Sequence, residues 1–414
     1  MASCAIGIGS VLSGGVALAQ TAAPGSVTVR LNGRINWYAG VEGSSLDNIN
    51  GTKTSTTSFY GYLRLYPGFD GVAANGLHYG AASQIRTQFA ETANAETLYV
   101  FQAYGYLGLP QLGQISFGQQ NGPTVLFETG TFEGFNDGAW FGDIPVIIPN
   151  NAEVVYPFVD TGFNQTSDKL VYLSPTWSGF QFAVGFTPNQ TAANFSPAPT
   201  AVTTAVAGGT PKNLIDIGGQ YTQTFGSVGI QLGADYNYAG QVSGTGAQTQ
   251  KFTTPSGYKD LSIFSGGATA TIAGVTVGGN VVLGDFNEVS GYTFQLQPDG
   301  GKSAIGWLAG AQYTRGPLTF GASYFVFDTT GDLPGGIDAD GGTITADGLT
   351  TGQQQNIGFA AGATYTVVPG LNLFLDYDWG TRHQGGFDFA TNDAGNEHND
   401  TQAQLFGVGT QIQW

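Results

Sequence analysis

The chain has 414 residues, of which 66 are glycine, and only 10% are charged, against about 25% in ordinary soluble domains. Mean hydropathy is near zero, and no apolar run of about 18 residues follows the N-terminal segment, so the sequence predicts no transmembrane helix. The net charge of −17 argues against a nucleic-acid partner, which requires a basic patch. Few charges with 13% aromatic residues favour strands that face lipid on one side and water on the other. A large secreted β-sandwich or β-solenoid is the alternative from composition alone.

Residues 1–19 have the character of a secretory signal peptide. They are apolar and end in Ala17-Leu18-Ala19, which is an A-x-A cleavage site. Cys4, the only cysteine, lies in this segment, so cleavage would leave a chain without disulfides or cysteine–metal sites. An apolar N-terminal core strand is the alternative interpretation. We expect residues 20–414 to form one domain.

From residue 27 onward, sixteen segments alternate apolar and polar side chains with the period of two that is typical of strands. In the first, Val29 and Leu31 share one face, whereas Arg30 and Arg34 share the other. The predicted strands are 27–39, 58–69, 77–89, 96–109, 113–120, 168–174, 180–186, 213–224, 227–238, 258–272, 274–285, 302–314, 317–328, 353–367, 371–382 and a last strand that ends at Trp414.

The connections between these strands are sorted by length. Short turns follow the even-numbered strands, and mostly long polar loops follow the odd-numbered ones. Aromatic residues such as Trp37, Phe59 and Trp414 lie near the ends of the apolar faces. This combination is typical of outer-membrane barrels, and a soluble sandwich has no reason to sort its loops by side. Because a membrane forbids open sheet edges, we expect the first and last strands to pair.

The connection over residues 121–166 departs most from the strand pattern. A loop of this length is usually functional or disordered, and its many aromatic residues argue against disorder. We interpret it as an insert that packs inside a wide barrel and offers carboxylates to the lumen. Its acidic residues are Glu128, Glu133, Asp137, Asp143, Glu153 and Asp160.

Three segments carry a resemblance to the Gram-negative general porins, of the alphaproteobacterial type. They are Ile115–Pro123 at the start of the insert, Lys169–Phe182 after it, and the terminal Leu405–Trp414. Most porins end in Phe, and this chain departs from that with Trp414. The resemblance implies an all-β fold: a 16-stranded antiparallel transmembrane barrel in the bacterial outer membrane, assembled as a homotrimer in contact with lipid and lipopolysaccharide. It implies passive diffusion of ions and small hydrophilic solutes, through a pore narrowed by an inward-folded third extracellular loop at 121–166.

The resemblance also implies acids on this loop opposite basic residues on the wall. No Lys or Arg lies between Arg86 and Lys169, the interval that holds the insert. Opposed charges create a transverse field across a water-filled gap and set ion preference, and the acidic net charge favours cations. We therefore predict mild cation preference, although several acids have the alternative of capping turns locally. The expected residues are Glu128, Glu133, Asp137 and Asp143 on the loop and Arg30, Arg34, Arg64 and Arg86 on the wall.

No motif indicates an enzyme or a zinc site, because the three histidines match no HExxH-type spacing. Segments 338–342 and 392–396 resemble pieces of calcium loops without the full twelve-residue spacing. We therefore expect no cofactor beyond weak calcium binding at loop carboxylates.

Two rival functions remain open at the level of the sequence. One is a non-conducting structural or adhesive barrel. The other is a substrate-selective channel with an aromatic track along the lumen. The candidate track residues are Tyr60, Tyr62, Tyr66, Tyr104 and Tyr106.

Overall fold

The computed structural model describes residues 25–47, 49, 55–88, 97–149, 152–159, 166–189, 211–241, 259–289, 293–297, 300–332 and 351–414. The predicted segments 1–19 and 338–342 and the residue Asp160 lie outside these ranges. Sixteen strands form one closed antiparallel barrel in sequence order, and the last strand pairs with the first. The predicted barrel is thereby confirmed.

The observed strand bounds differ from the predicted ones by a few residues at most ends. The barrel strands are β1 (Val27–Ser44), β2 (Thr57–Val72), β3 (His78–Gln88), β4 (Thr97–Leu109), β5 (Gly113–Gln120), β6 (Ser167–Leu173), β7 (Phe180–Asn189), β8 (Pro211–Phe225), β9 (Val228–Gln241), β10 (Leu261–Ile272), β11 (Val275–Asp285), β12 (Ala304–Arg315), β13 (Leu318–Thr329), β14 (Gln354–Val368), β15 (Leu371–His383) and β16 (Asp400–Gln413).

Alternation along each strand separates a lipid-facing side from an inner side. In β1, Val29 is 79% exposed on the outside, whereas Asn36 on the inside is 1% exposed. Successive side chains of a strand point to opposite faces, so one apolar and one polar set per strand suffices to build both surfaces. Among the described residues, no helix is long and apolar enough to cross a membrane.

The two ends of the barrel differ in the way the sequence predicts. Short turns join β2 to β3, β12 to β13 and the other pairs at one end, while the long connections lie at the opposite end. Two small hairpins occur within the long connections, one pairing Asn287–Val289 with Thr293–Gln295 and one pairing Phe387–Asp388 with Asp393–Ala394.

The insert between β5 and β6 contains short helical turns that strand periodicity did not predict. They are the α-helical turn α1 (Pro123–Leu126) and the 3-10 turns Ala139–Phe141 and Ile144–Ile147. Proline near the start of two of these turns suits helix initiation, since its fixed φ matches the helix and its missing N–H is not needed there.

The insert packs against the inner wall of the barrel. The turn α1 contacts β7, β8 and β9, the second turn contacts β14 and β15, and the third contacts β16, β1 and β2. The insert thus follows the wall from β7 round to β1 and forms an apolar core with it. Members of this core on the insert are Phe132, Phe135, Trp140, Ile144, Tyr156 and Phe158, and members on the wall include Tyr38, Phe325, Phe374 and Leu405.

Candidate pore constriction

Strand register places three of the predicted wall arginines side by side. Arg34 of β1 pairs with Arg64 of β2, and Arg64 pairs in turn with Arg86 of β3. All three occupy the inner phase of their strands and therefore form one row across three neighbouring strands. Like charges directly opposite each other in a sheet repel, so this row requires an anion or water nearby.

Asp143 of the insert meets this row. Its carboxylate lies 2.6 Å from Nη2 of Arg64 and 3.5 Å from Nη2 of Arg34. The Tyr62 hydroxyl donates a hydrogen bond to the same carboxylate, and the Arg64 guanidinium lies 4.3 Å from the centroid of the Tyr62 ring. The expected pairing of loop acid with wall arginine is thus present here, and Asp143 is the acid that makes it.

Asp137 is placed differently, since it fastens the insert rather than pairing with an arginine. Its Oδ2 accepts hydrogen bonds from the backbone amides of Asp143 at 2.7 Å and Ile144 at 3.1 Å, and its Oδ1 accepts one from the Tyr38 hydroxyl. Burial, together with the neighbouring carboxyls of Asp143 and Asp376, raises the pKa of Asp137 well above its usual value.

Glu128 and Glu133 lie close together in the first part of the insert. The Thr131 hydroxyl donates to Glu128, and the Tyr156 hydroxyl donates to Glu133 at 3.3 Å. Burial, with the charge of Glu128 as a second cause, raises the pKa of Glu133 well above the usual value. Both carboxyls line the same space as the wall arginines.

The other two predicted wall arginines have no partner on the insert among the described residues. Arg30 forms an ion pair at 2.6 Å with Asp70 on the neighbouring strand, near the short-turn end of the barrel. Arg86 donates to the Gln84 side chain at 3.3 Å, and its guanidinium lies over the Phe101 ring. Within the described part of the chain, Arg86 has no carboxylate within 4.0 Å.

One cavity of about 1150 Å³ brings the predicted residues together. All eight of them line it, as do Tyr60, Tyr66 and Tyr104. Its other wall residues come largely from β2 to β5. The arrangement is a polar space with guanidinium groups along one side and carboxyls of the insert along the other. The guanidinium groups belong to Arg30, Arg34, Arg64 and Arg86, and the carboxyls to Glu128, Glu133, Asp137 and Asp143.

Glycines under the insert form a functional feature that sequence reasoning missed. A Cβ on Gly267 would lie 1.8 Å from the carbonyl oxygen of Thr129, one on Gly310 2.5 Å from the Phe132 ring, and one on Gly407 2.1 Å from Ile144. Only the absence of a side chain at such inner positions lets the insert lie against the wall. The available signal was glycine in the inward phase of β10, β12 and β16.

Comparison with known proteins gives the same picture of the fold. Residues 3–383 match the family of Gram-negative porins. The comparison with curated proteins returned no match by sequence. Three solved structures share the fold at 12 to 14% identity: the Salmonella typhi OmpF complex with daunomycin (14%, TM-score 0.56, covering 93% of this chain and 97% of that chain), Vibrio cholerae OmpT in its trimer form (12%, 0.55, 94% and 100%), and an anion-selective porin from Comamonas acidovorans (12%, 0.52, 94% and 100%).

The family match covers most of the chain, and the barrel has the strand number and the sorted connections that its periodicity predicts. The lipid-facing surface is apolar, and the inside is polar along the arc from β2 to β5. The chain belongs to the Gram-negative porin family and is a β-barrel channel of the outer membrane.

Proposed function

We propose that the channel passes ions and small hydrophilic solutes by passive diffusion, with mild preference for cations. The observation that carries the proposal is the polar cavity between the insert and the strands β2 to β5, lined by all eight predicted charged residues. A water-filled path lined by fixed charges conducts without a bound substrate, and the sign of its charges sets its ion preference.

The cation preference follows from a balance between local and overall charge. The chain carries 29 acidic and 12 basic residues, so the field of the whole protein attracts cations. The arginine row opposes it locally, but Asp143 lies between two members of the row. Asp143 carries one negative charge against the three arginines of the row, so a local positive excess remains along the row and keeps the preference mild.

We further propose that the protein is exported with residues 1–19 as a signal peptide and assembles as a homotrimer. The A-x-A sequence before residue 20 supports export. The trimer form of Vibrio cholerae OmpT, a protein of the same fold, supports the trimer. The apolar outer faces of the strands are the surfaces that would contact lipid, and the long connections are those that would contact lipopolysaccharide.

Single-channel recording in a planar bilayer with a potassium chloride gradient tests the function. The proposal predicts stepwise conductance in groups of three and a reversal potential on the cation side. An anion-side reversal potential would contradict the ion preference, and absence of current from a folded barrel would contradict the diffusion function. Liposome swelling with neutral sugars extends the test from ions to solutes.

A substrate-selective channel is the second candidate, because Tyr60, Tyr66 and Tyr104 line the cavity together with Arg86. Aromatic rings next to a guanidinium suit a planar or anionic solute. However, the Tyr62 ring already contacts the Arg64 guanidinium, and its hydroxyl donates a hydrogen bond to Asp143. The Tyr106 hydroxyl likewise donates a hydrogen bond to Asp70. Saturable uptake of one solute class would favour this candidate over general diffusion.

A further inference from the structure

The connection between β15 and β16 brings together three side chains that bind metals in other proteins. Asp388, Glu397 and His398 each offer one ligand atom, and these atoms all lie within 4.8 Å of one another. The connection is one of the long ones, at the end of the barrel opposite the short turns. None of the three residues lines the cavity described above.

The turn that carries these residues is held in place by hydrogen bonds. The Asp388 carboxylate accepts the backbone N–H groups of Ala390 at 2.8 Å and Thr391 at 3.2 Å. The Asn399 side chain donates to the carbonyl oxygens of Phe387 and Gly395 at 2.6 and 2.8 Å. These bonds bring the two ends of the turn together and keep the carboxylate oriented.

Packing beneath the turn fixes it further. Phe387 and Phe389 are buried, and their rings meet edge to face. The Arg382 guanidinium of β15 lies 4.0 Å from the centroid of the Phe389 ring. The side chain of Asp388 is only 8% exposed, so it is presented by a packed turn. Glu397 beside it is exposed.

The distances suit a tetrahedral ion. Nδ1 of His398 lies 3.1 Å from Oδ2 of Asp388, and ligand atoms of a tetrahedral zinc site lie about 3.3 Å apart, given bonds of about 2.0 to 2.2 Å. The Glu397 carboxylate would have to move closer by at most about 1.5 Å on the same geometry. The contact between Nδ1 and the carboxylate requires either the tautomer whose Nδ1–H donates a hydrogen bond to Asp388 or a metal ion between the two atoms.

We propose that Asp388, Glu397 and His398 form a binding site for a divalent transition-metal ion of the zinc type, with water completing the coordination. One imidazole nitrogen and two carboxylate oxygens suit zinc and its neighbours, whereas calcium prefers six to eight oxygen ligands. A bound ion would link residue 388 to residues 397 and 398 and so fasten this loop. The proposal does not depend on the conduction function.

The alternative is that His398 and Asp388 are only a hydrogen-bonded pair that closes the turn. The chain offers a matched control for this, because His383 of β15 lies 2.7 Å from Asp400 of β16, in an exposed pair. This second pair has no third ligand beside it among the described residues, where the one cluster of three ligands contains Asp388, Glu397 and His398.

Calorimetric titration with zinc chloride tests the proposal. The protein is the full chain, folded in detergent, without a histidine tag and with Cys4→Ser, because a free thiol binds zinc. We expect one zinc ion per chain in this protein. His398→Ala and Glu397→Gln are expected to weaken binding by about tenfold or more, since loss of a hydrogen-bond partner of a ligand already costs that much, and His383→Ala to leave it unchanged.

Three outcomes would overturn the proposal. They are absence of binding by the unmutated site, equal binding after His398→Ala, and an equal loss after His383→Ala. Heat-modifiable migration in gels shows that each variant is a folded barrel, so a loss of binding cannot be ascribed to misfolding. Cobalt as a second probe gives visible absorption whose intensity reports a tetrahedral site, and this signal should disappear in His398→Ala.

Discussion

The inner wall of this barrel has two regions of different character. The arc from β12 to β16 bears glycines and apolar residues together with buried polar groups such as Asp376 and Asp378, and the insert lies directly on it. The arc from β2 to β5 bears arginines, tyrosines and amides, and the cavity lies against it. The first arc therefore holds the insert, and the second arc lines the water path. Changes on the first arc should alter the position of the insert, and changes on the second should alter which ions pass.

The largest effect is expected from removing the main apolar anchor. Trp140 is buried, and its indole N–H donates to the carbonyl oxygen of Phe359 at 3.2 Å. Trp140→Ala should lower the free energy of unfolding by about 3–5 kcal/mol, as large-to-small core substitutions do, and should raise single-channel conductance as the insert loosens. Urea unfolding and bilayer recording measure the two effects. Phe141→Ala, at a half-buried position that lines the cavity, should change both less.

The next effect is expected from filling the space that a wall glycine leaves. A Cβ at Gly407 would meet Ile144 at 2.1 Å, so Gly407→Val should displace the insert and destabilise the barrel by about 1–3 kcal/mol, the usual cost of overpacking. Conductance should change as well. The control is Gly229→Val on the inner side of β9, where the nearest atom would be 3.8 Å away. Equal effects of the two substitutions would contradict the close contact between insert and wall.

A smaller, electrical effect is expected where the two regions meet. Asp143→Asn leaves Arg34 and Arg64 without their carboxylate, so the reversal potential should move towards anions. The permeability ratio should change by up to about fivefold, since a unit charge at 4 Å in water is worth about 1 kcal/mol. Asp70→Asn frees Arg30 in the same way at the short-turn end. If it shifted the potential as much, the constriction would not lie at Asp143.

The smallest effect is expected from pH. Burial and Glu128 raise the pKa of Glu133, so its carboxyl takes up a proton at a higher pH than an exposed glutamate and loses its negative charge as pH falls. As pH falls, cation preference should therefore begin to decline at pH values above the ordinary titration range of glutamate. Reversal potentials recorded from alkaline to acidic pH measure this decline. In Glu133→Gln the early decline should be smaller, and the remainder should come from Asp137, whose pKa is also raised. An unchanged decline in Glu133→Gln would contradict the prediction.

The barrel could be predicted from the sequence because lipid on one side and water on the other impose a period of two on every strand. Val29 and Arg30 already show the rule, and Trp414 at the end of the last strand completes it. The sorted lengths of the connections predicted that short turns lie at one end of the barrel and long loops at the other. Strand ends were less certain, since pairing of neighbouring strands extends several of them beyond their alternating part, as in β1, which continues to Ser44.

The constriction could be predicted only as a set of charges. The eight residues do line one cavity, but position along the chain favoured Asp137, in the first part of the insert, over Asp143. In the structure Asp143 contacts two arginines, whereas Asp137 holds backbone amides. That distinction depends on the path of the insert along the wall. The path depends in turn on apolar contacts and on wall glycines such as Gly310 and Gly407. The inward phase of these glycines does not by itself indicate which segment packs on them.

Thiol modification during conduction tests the central claim, that water passes along β2 to β5 and not beneath the insert. Ala82 of β3 lines the cavity and lies in the same inner phase as Arg86. Ser323 of β13 is buried on the inner face between Gly321, which lies against Phe135 of the insert, and Phe325, whose ring contacts Tyr156 of the insert. In a Cys4→Ser background, a charged methanethiosulfonate reagent should reduce the current through Ala82→Cys and leave that through Ser323→Cys unchanged. Reduction through Ser323→Cys without reduction through Ala82→Cys would place the water path on the other side of the insert and contradict the account.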